Sequence, residues 1–399
     1  MDSFALDQVN NFVLKKLHLT NDSKIDNILQ IIEDLCGLHA TGTQEPYIQL
    51  FIRSNKFEKQ DLDRELYENK SLGRIRGMRK TLFIQVKEMI PIVYNAVKYL
   101  TDNLERKYLE YRDVSIGEYY KISKEIINLL NQNEMSTSQI KKALNSQKDI
   151  SAIISIMCDR MELIRGKPLK SWKDRRLHYA PFKSYFPNMN LGKYTEEQAI
   201  ELLIHKYIKT YGPCTENDIV WWAGITKGKV KKALNSLTNK IQKVQIAGLD
   251  HIFYIYSTDI NRITNAPLVN LQHLSLLPLL DPYLMGYKDR ERYINPKNYD
   301  YIFDRSGNAT STILLNGEII GVWDVAEKPS PNVKLLLFDF VEKKVTEVIK
   351  REAKRIGRFI SGTNVQLIDC KKMLPLSKRT AGSFMTPLKN CEFNSKKWE

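Results

Sequence analysis

The first hundred residues begin with a helical pattern of apolar positions and then change to an alternating one. The three- and four-residue spacing of an amphipathic helix links Leu6, Val9, Val13, Leu14 and Leu17. A second helix is predicted to end at Leu35, after the capping sequence 21–23, and a further helix to cover 59–68. Residues 72–86 alternate and carry glycines near the middle, which predicts a basic β-hairpin.

The same order of helices and hairpin recurs twice further along the chain. Helices are predicted over 119–130, 136–144 and 149–161, followed by a strand and turn. The third occurrence has helices predicted over 196–211, 215–222 and 226–237, before a two-stranded wing at 241–255. Three tandem winged helix-turn-helix modules are therefore predicted. Their expected boundaries are 1–98, 99–190 and 191–262.

The last part of the chain, 263–399, is predicted to be a β-rich domain with one basic helix. Asn316-Gly317 between two short apolar runs predicts a hairpin. A strand is expected at 333–340 and a helix at 344–360. One face of this helix is apolar, and the opposite face carries Lys350, Arg351, Lys354, Arg355 and Arg358. For the basic face, simple solvation and contact with a partner both remain open.

The net charge of the chain indicates what kind of partner the protein binds. Lys and Arg number 61 and Asp and Glu 46, so the net charge is +15. Residues 341–399 alone hold 14 basic and 6 acidic residues, which is a net charge of +8. Because Lys and Arg laid along phosphates release counterions, such an excess favours a polyanionic partner. A basic protein that is merely soluble is the open alternative.

Composition excludes several other classes. Apolar residues make up 43% of the chain and charged residues 27%, a globular balance, and no apolar run approaches the length of a membrane span. The start, Met1-Asp2-Ser3, does not resemble a secretion signal. We therefore expect no membrane partner and a cytoplasmic location, associated with the nucleoid if DNA is the partner.

Metal and cofactor chemistry has no signal in the sequence. The five cysteines are isolated, with no Cys-x-x-Cys pair, and are expected to be reduced and buried. The six histidines are scattered, and neither a Walker loop nor a dinucleotide-binding glycine motif occurs. We expect no bound metal and no cofactor.

Four stretches, in the right order and at about the right spacing, together resemble the AlkZ/YcaQ-like DNA glycosylases. They are 38–41 with 50–53, then 76–82, then 211–215 with Asp218 and 222–224, and finally 277–290 with 316–317 and 321–323. The resemblance implies an α+β protein in which three tandem winged helix-turn-helix modules form a C-shaped arrangement with a C-terminal β-rich domain. It also implies a monomeric, cofactor-free enzyme that excises alkylated or crosslinked purines from double-stranded DNA.

The resemblance also indicates where the chemistry takes place. Family members use a Gln-x-Gln or Gln-x-Asp pair to hold the attacking water, and the matching positions here are His39 and Thr41. An alkylated purine leaves easily, so the site must chiefly position water and stabilise an oxocarbenium-like sugar. A neutral imidazole with a pKa of about 6.5 can accept the water proton, while the Thr41 hydroxyl fixes the water. Gln44 is a third catalytic candidate, and Gln44 and Glu45 lie close enough in the sequence to share or replace this role. Purely structural roles for His39 and Thr41 stay equally open.

Cations in five segments are the candidate DNA contacts. They lie in the motif that follows His39, in the first hairpin, in a linker rich in cations and aromatics, and in two segments near the third module. The residues are Arg53, Arg74, Arg76, Arg79, Lys80, Arg175, Arg176, Lys227, Lys229, Lys231, Lys288 and Arg290. Open alternatives are a hairpin that binds nothing, a linker that only packs between domains, and pairing of Lys288 and Arg290 with Asp281 and Asp289.

Two functional hypotheses follow. The first is a monofunctional DNA glycosylase that hydrolyses the N-glycosidic bond of alkylated purines with a water held by His39 and Thr41. No lysine close to His39 in the sequence suggests Schiff-base chemistry. The second is a non-catalytic DNA-binding protein, a lesion sensor or transcriptional regulator, because the water-holding pair departs from the family pattern. An RNA-directed role is a weaker third option.

Overall fold

The computed structural model describes residues 1–265 and 273–393, a mixed α+β protein. Its helices are Leu6–Lys16 (α1), Ile28–Asp34 (α2), Glu45–Phe51 (α3), Lys59–Asp63 (α4), Ile90–Val97 (α5), Tyr99–Tyr111 (α6), Ile116–Leu130 (α7), Thr137–Leu144 (α8), Ile150–Asp159 (α9), Phe182–Tyr185 (α10), Glu196–Tyr211 (α11), Glu216–Ala223 (α12), Lys227–Ser236 (α13), Ile260–Thr264 (α14), Pro282–Met285 (α15), Tyr299–Ile302 (α16) and Lys343–Ser361 (α17). A π-helical turn, Arg64–Glu68, continues α4.

The described residues also form four β-sheets. Their strands are Ser3–Phe4 (β1), Leu38–His39 (β2), Leu72–Arg76 (β3), Leu82–Val86 (β4), Met135–Ser136 (β5), Leu163–Pro168 (β6), Leu177–Pro181 (β7), Ile241–Ile246 (β8), Leu249–Tyr256 (β9), Leu274–Leu277 (β10), Thr312–Leu315 (β11), Glu318–Ala326 (β12), Asn332–Leu337 (β13), Gln366–Lys372 (β14) and Glu392–Phe393 (β15). The predicted hairpin at 72–86 is confirmed as β3 and β4, and the helix expected at 344–360 is confirmed as α17.

Side-chain caps fix where several helices begin. Ser115, Ser136, Thr195 and Thr215 each precede a helix and accept a hydrogen bond from the backbone N–H three residues on. In each case the side chain of the residue at that third position accepts a hydrogen bond from the backbone N–H of the capping residue. Such reciprocal capping satisfies N–H groups that the helix leaves free, so the helix starts are encoded locally.

Three stretches of the chain share one strand order. In the first, β2 pairs with β4, which pairs with β3; in the second, β5 pairs with β7, which pairs with β6. In the third, Cys214 bridges to Tyr254 in β9, which pairs with β8. The short extended segment before the middle helix therefore always pairs with the second strand of the following hairpin.

The core does not divide evenly among these stretches. Most buried residues between Leu109 and Leu163 of the second one form their own cluster. Met161, Ile164 and the buried residues from Ala180 to Phe186 instead join the continuous cluster of the first, the third and the C-terminal region. The amino-terminal strand β1 even pairs in parallel with β8, through Ser3 and Gln245. The predicted domain boundaries at 98, 190 and 262 stay predictions.

A six-stranded sheet, β10 to β15 in sequence order, forms the C-terminal region. The Asn316-Gly317 hairpin is confirmed: both residues have positive φ, 52° and 89°, as a two-residue turn requires. Helix α17 connects the parallel strands β13 and β14 and packs its apolar face on the sheet. The described residues contain no helix of the length and apolarity that crossing a bilayer requires.

One expectation about cysteine is wrong. Cys370 and Cys391 form a disulfide, with their Cα atoms 5.9 Å apart, although all five cysteines were expected to be reduced. The two residues are 21 positions apart and meet because β14 and the segment before β15 lie side by side, which no spacing motif reveals. Cys36, Cys158 and Cys214 are free and buried as expected, and burial raises the pKa of each thiol.

Candidate active site and DNA interface

The predicted catalytic residues lie on a short strand and the turn that follows it. Strand β2 pairs with β4, so that His39 faces Phe83 across the sheet, and Ala40 N–H donates to Leu82 O at 2.8 Å. Residues 41–44 form the turn, and α3 begins at Glu45, with a proline at its second position. The fold thus brings His39, Thr41 and Gln44 into one loop at the amino-terminal end of α3.

His39 is buried rather than open to solvent. Its side chain is 6% exposed, and its ring lies against Phe83 with centroids 4.4 Å apart. Burial, with a smaller effect from the positive charge of Arg79, lowers the pKa of His39 to about 3. The imidazole is therefore neutral at physiological pH, but it is a much weaker base than the ordinary value assumed from the sequence. Its Nδ1 has no hydrogen-bond partner among the described residues.

Thr41 and Gln44 lie further out than His39. Thr41 is exposed, and no hydrogen bond joins its side chain to a described residue. Gln44 is half-buried and precedes α3 without capping it through its side chain. The loop therefore places the Thr41 hydroxyl where a ligand can reach it, while the His39 imidazole is buried.

Two neighbouring side chains on α3 add polar groups to this loop. Burial raises the pKa of the Glu45 carboxyl, although the nearby backbone N–H groups of Gln44 and Glu45 and the charges of Arg175 and Arg74 act to lower it. Gln49, one helical turn later, donates to His39 O at 3.4 Å. Glu45 Oε2 and Gln49 Oε1 are both buried without a partner among the described residues. Gln49 was missed from the sequence, although its spacing of four from Glu45 on a helix indicates a shared face.

A cavity of about 140 Å³ opens beside the first turn of α3. It lies against the C-terminal sheet, and its lining includes Gln44, Glu45, Asp324 and Met385. Burial raises the pKa of Asp324 to about 6, although the carboxylate accepts hydrogen bonds from Val325 N and Leu388 N. Asp324 was also missed, and its position directly after the family-like segment 321–323 was the available signal.

Three of the predicted DNA contacts are corrected by the structure because their side chains are buried. Arg53 is fully buried and forms a bidentate pair with Asp281, at 2.7 and 2.8 Å. Arg290 is 2% exposed and donates to Tyr287 O, Tyr299 Oη and Gly307 O. Arg74 is 3% exposed. A guanidinium enclosed in this way cannot reach a phosphate. The suggested pairing of Arg290 with Asp281 or Asp289 is not found either, because Asp281 binds Arg53 and Asp289 accepts from Thr215 Oγ1.

Basic side chains of the first hairpin contact other parts of the protein, namely α9 and α12. Arg76 pairs with Asp159 of the second stretch at 2.5 Å. Arg79 lies 3.9 Å from the ring centre of Trp221, whose ring also lies 4.9 Å from the guanidinium of Arg290. Lys80 remains accessible and lines a cavity of about 310 Å³ between the hairpin and the second stretch. The expectation of a hairpin that projects its cations towards DNA therefore holds at most for Lys80.

The remaining candidate DNA contacts differ in whether their side chains form ion pairs. Lys229 is paired with Glu196 and lies over the Tyr99 ring, and Arg176 is paired with Asp174 at 2.8 Å. Lys227 is 63% exposed, 3.5 Å from a Glu216 oxygen. Among the predicted DNA contacts, three cations are exposed and have no ion pair with a described residue: Arg175, Lys231 and Lys288.

The unusual protonation of His39 gives a measurable prediction about stability. The unfolded chain binds a proton at His39 below a pKa of about 6.5, whereas the folded chain does so only near 3, so stability is lost as the pH falls between these values. Replacing His39 by Phe, which keeps a ring beside Phe83, should flatten this part of the profile. Urea midpoints measured from about pH 4 to pH 7 check this, with His178→Phe as the matched variant. Equal slopes in wild type and His39→Phe would contradict it.

Comparison with known proteins identifies the class and then the family. A family model described as DNA glycosylase AlkZ-like matches residues 32–359, which includes the loop at 39–45 and most of the C-terminal sheet. The fold and this match define a protein of the DNA-repair glycosylase class. More particularly, the chain belongs to the AlkZ-like DNA glycosylase family, which confirms the resemblance found in the sequence.

A solved structure supports the same fold. DNA glycosylase AlkZ from Streptomyces sahachiroi superposes with a TM-score of 0.74 at 15% identity, covering 92% of this chain and 100% of that chain. At this identity the likeness concerns the fold alone. No curated protein matches the sequence. Family membership implies that the protein binds DNA.

Proposed function

We propose that this protein is a monofunctional DNA glycosylase that hydrolyses the N-glycosidic bond of alkylated purines in double-stranded DNA. The observation that carries the proposal is the loop at 39–45. It lies inside the segment that matches the family and combines an accessible hydroxyl with buried polar atoms that have no partner among the described residues. A water bound there would satisfy these atoms, which otherwise remain costly to bury.

The burial of His39 changes the role expected of each side chain. With a pKa of about 3, His39 accepts a hydrogen bond and orients the water, but it takes up a proton poorly. The Thr41 hydroxyl and the Gln44 amide hold the water from the open side. The Glu45 carboxylate, whose pKa is raised by burial, is the better proton acceptor and in its ionised form stabilises the positive sugar. The base leaves as a neutral molecule, since alkylation has already made it cationic.

The finer architecture belongs to the same proposal. We interpret the three stretches that share a strand order as tandem winged helix-turn-helix modules, arranged with the C-terminal sheet in a C shape around duplex DNA. Of the DNA contacts predicted from the sequence, the ones best placed by their exposure to contact phosphates are Arg175, Lys227, Lys231 and Lys288. The proposed enzyme is a monomer that acts on alkylated or crosslinked DNA of the nucleoid in the cytoplasm.

One observation favours the rival function, a lesion sensor or regulator that binds DNA without catalysis. His39 is buried against Phe83, and His39 and Thr41 stand where the family has an amide followed by an amide or a carboxylate. If the imidazole only supports the strand, the loop keeps its shape and the protein keeps DNA binding without excision.

An excision assay separates the two functions. We expect the protein to release N7-methylguanine from a duplex and to leave abasic sites that break only on alkali treatment, because no covalent intermediate with a lysine forms. Free base and strand breaks are measured in parallel with duplex binding, and undamaged duplex is the control. Strand cleavage without alkali would contradict a monofunctional mechanism. Binding without release from any alkylated duplex would support the sensor.

A further inference from the structure

The helix α17 presents a continuous basic surface that the proposed active site does not use. Its apolar residues, among them Val345, Ile349 and Ile356, are buried on the C-terminal sheet. The opposite side holds exposed cations, which we call the basic stripe: Lys343, Lys344, Arg351, Lys354 and Arg358. At about 100° per residue these five fall within an arc of about 100°, so they share one face.

The basic stripe is free of ion pairs among the described residues, unlike several other exposed cations of the protein. Within the arc the acidic residue Glu347 is paired with Lys350, at 2.9 Å, from the edge of the stripe. On α13, by contrast, Lys229 and Lys232 are paired with Glu196 and Glu197. The stripe therefore keeps its charge available to a partner.

The dimensions of the stripe suit a nucleic-acid backbone. From Lys343 to Arg358 the helix rises about 22 Å, at about 1.5 Å per residue. Duplex DNA carries about one charge per 1.7 Å of its axis, so several phosphates lie within reach of this length.

The stripe also ends close to the candidate active site. Directly after Arg358, the Phe359 ring stacks on Phe51 at the end of α3, with centroids 4.0 Å apart. Helix α3 carries Glu45 at its other end, and Ile360 lines the cavity beside it. A duplex held at the active site therefore has flanking phosphates in the neighbourhood of α17.

We propose that the basic stripe of α17 is a second DNA-binding surface, which holds the phosphates of duplex flanking the lesion. This inference rests on DNA binding, which family membership implies, and does not require that the protein excises a base. Each phosphate contact releases counterions, so the stripe adds affinity that is independent of sequence and lesion and falls steeply with salt.

The test measures the salt dependence of binding to an undamaged duplex of about 30 base pairs, roughly 100 Å long. The neutral variant carries Arg351→Gln, Lys354→Gln and Arg358→Gln, and the charge-retaining variant carries Arg351→Lys, Lys354→Arg and Arg358→Lys. The matched control removes three exposed, unpaired lysines of α7 and α8 by Lys121→Gln, Lys124→Gln and Lys141→Gln. Circular dichroism and urea midpoints verify folding, and single substitutions replace the triple variant if it is unstable.

We expect the slope of log K against log salt to become shallower by about 2–3 in the neutral variant, about 0.9 for each lost contact. The charge-retaining variant and the matched control should keep the wild-type slope. An unchanged slope in the neutral variant, an equal loss in the matched control, or a loss seen with duplex RNA alone would each overturn the proposal. Excision from N7-methylguanine duplex is followed separately, so an inactive wild-type protein that shows the expected slopes would refute the glycosylase and leave the basic stripe intact.

Discussion

Replacing Arg53 by Met is expected to destabilise the protein by about 3–5 kcal/mol, because it leaves the Asp281 carboxylate buried without its cation. Arg53 and Asp281 are both fully buried and meet through two hydrogen bonds, at 2.7 and 2.8 Å. Arg53 also donates to Leu17 O at 2.9 Å, so one guanidinium ties α1 and α3 to the C-terminal region. The free energy of unfolding from urea titration measures the effect.

The control for this prediction is an exposed ion pair. Lys15 and Asp22 are 2.9 Å apart, but their side chains are 36% and 54% exposed. Lys15→Met should therefore cost less than about 1 kcal/mol. A loss of similar size for Arg53→Met would show that the buried pair contributes no more than an exposed one. The salt dependence of DNA binding should stay unchanged in folded Arg53→Met, since a buried side chain does not contact phosphates.

The second large effect concerns catalysis. We expect His39→Phe to lower the single-turnover excision rate by about 10²–10³-fold, the usual cost of removing one positioned polar group from a reacting centre. Phe keeps a ring against Phe83, so the strand and its loop should hold their shape. His39→Gln supplies an amide at the position where the family has one and should keep the rate within about tenfold of wild type. Rates are measured with enzyme in excess over N7-methylguanine duplex.

Two comparisons make this result interpretable. His178→Phe changes a histidine on β7, in the second stretch, and should leave the rate unchanged. Duplex affinity should also stay the same in His39→Phe, because the imidazole is buried. If His39→Phe excises at the wild-type rate, His39 is structural, and the positioning of water falls to Thr41, Gln44 and Glu45.

The candidate site was only partly predictable from the sequence. The position of the loop followed from the family-like residues around His39, and His39 and Thr41 do lie on that loop. Their different exposure did not follow, because it depends on how β2 pairs with β4 and on the ring of Phe83. Asp324 was not predicted, because it lies 279 positions after Glu45 in the chain and is near the loop only as part of the lining of the same cavity.

The candidate DNA contacts show the same limit. A run of cations on a hairpin predicts binding to phosphates, but Arg76 and Arg79 instead join the hairpin to Asp159 and Trp221. The hairpin packs closely against the end of α12: a Cβ on Gly224 would lie 3.2 Å from the Arg79 backbone. Basic residues at a joint between parts of a protein have the same sequence signature as basic residues at a nucleic-acid interface.

Periodicity, capping residues and turn residues act over a few neighbouring positions, so the amino-acid sequence was enough to predict several of the helices, the hairpins at 72–86 and 316–317, and the amphipathic character of α17. Which cations are exposed to solvent and which cysteines form a disulfide became known from the three-dimensional fold. Arg53 and Asp281 are 228 positions apart, and Cys370 and Cys391 are 21 apart. Such contacts depend on how distant elements pack, and the same packing buried Arg53 while leaving the basic stripe of α17 open.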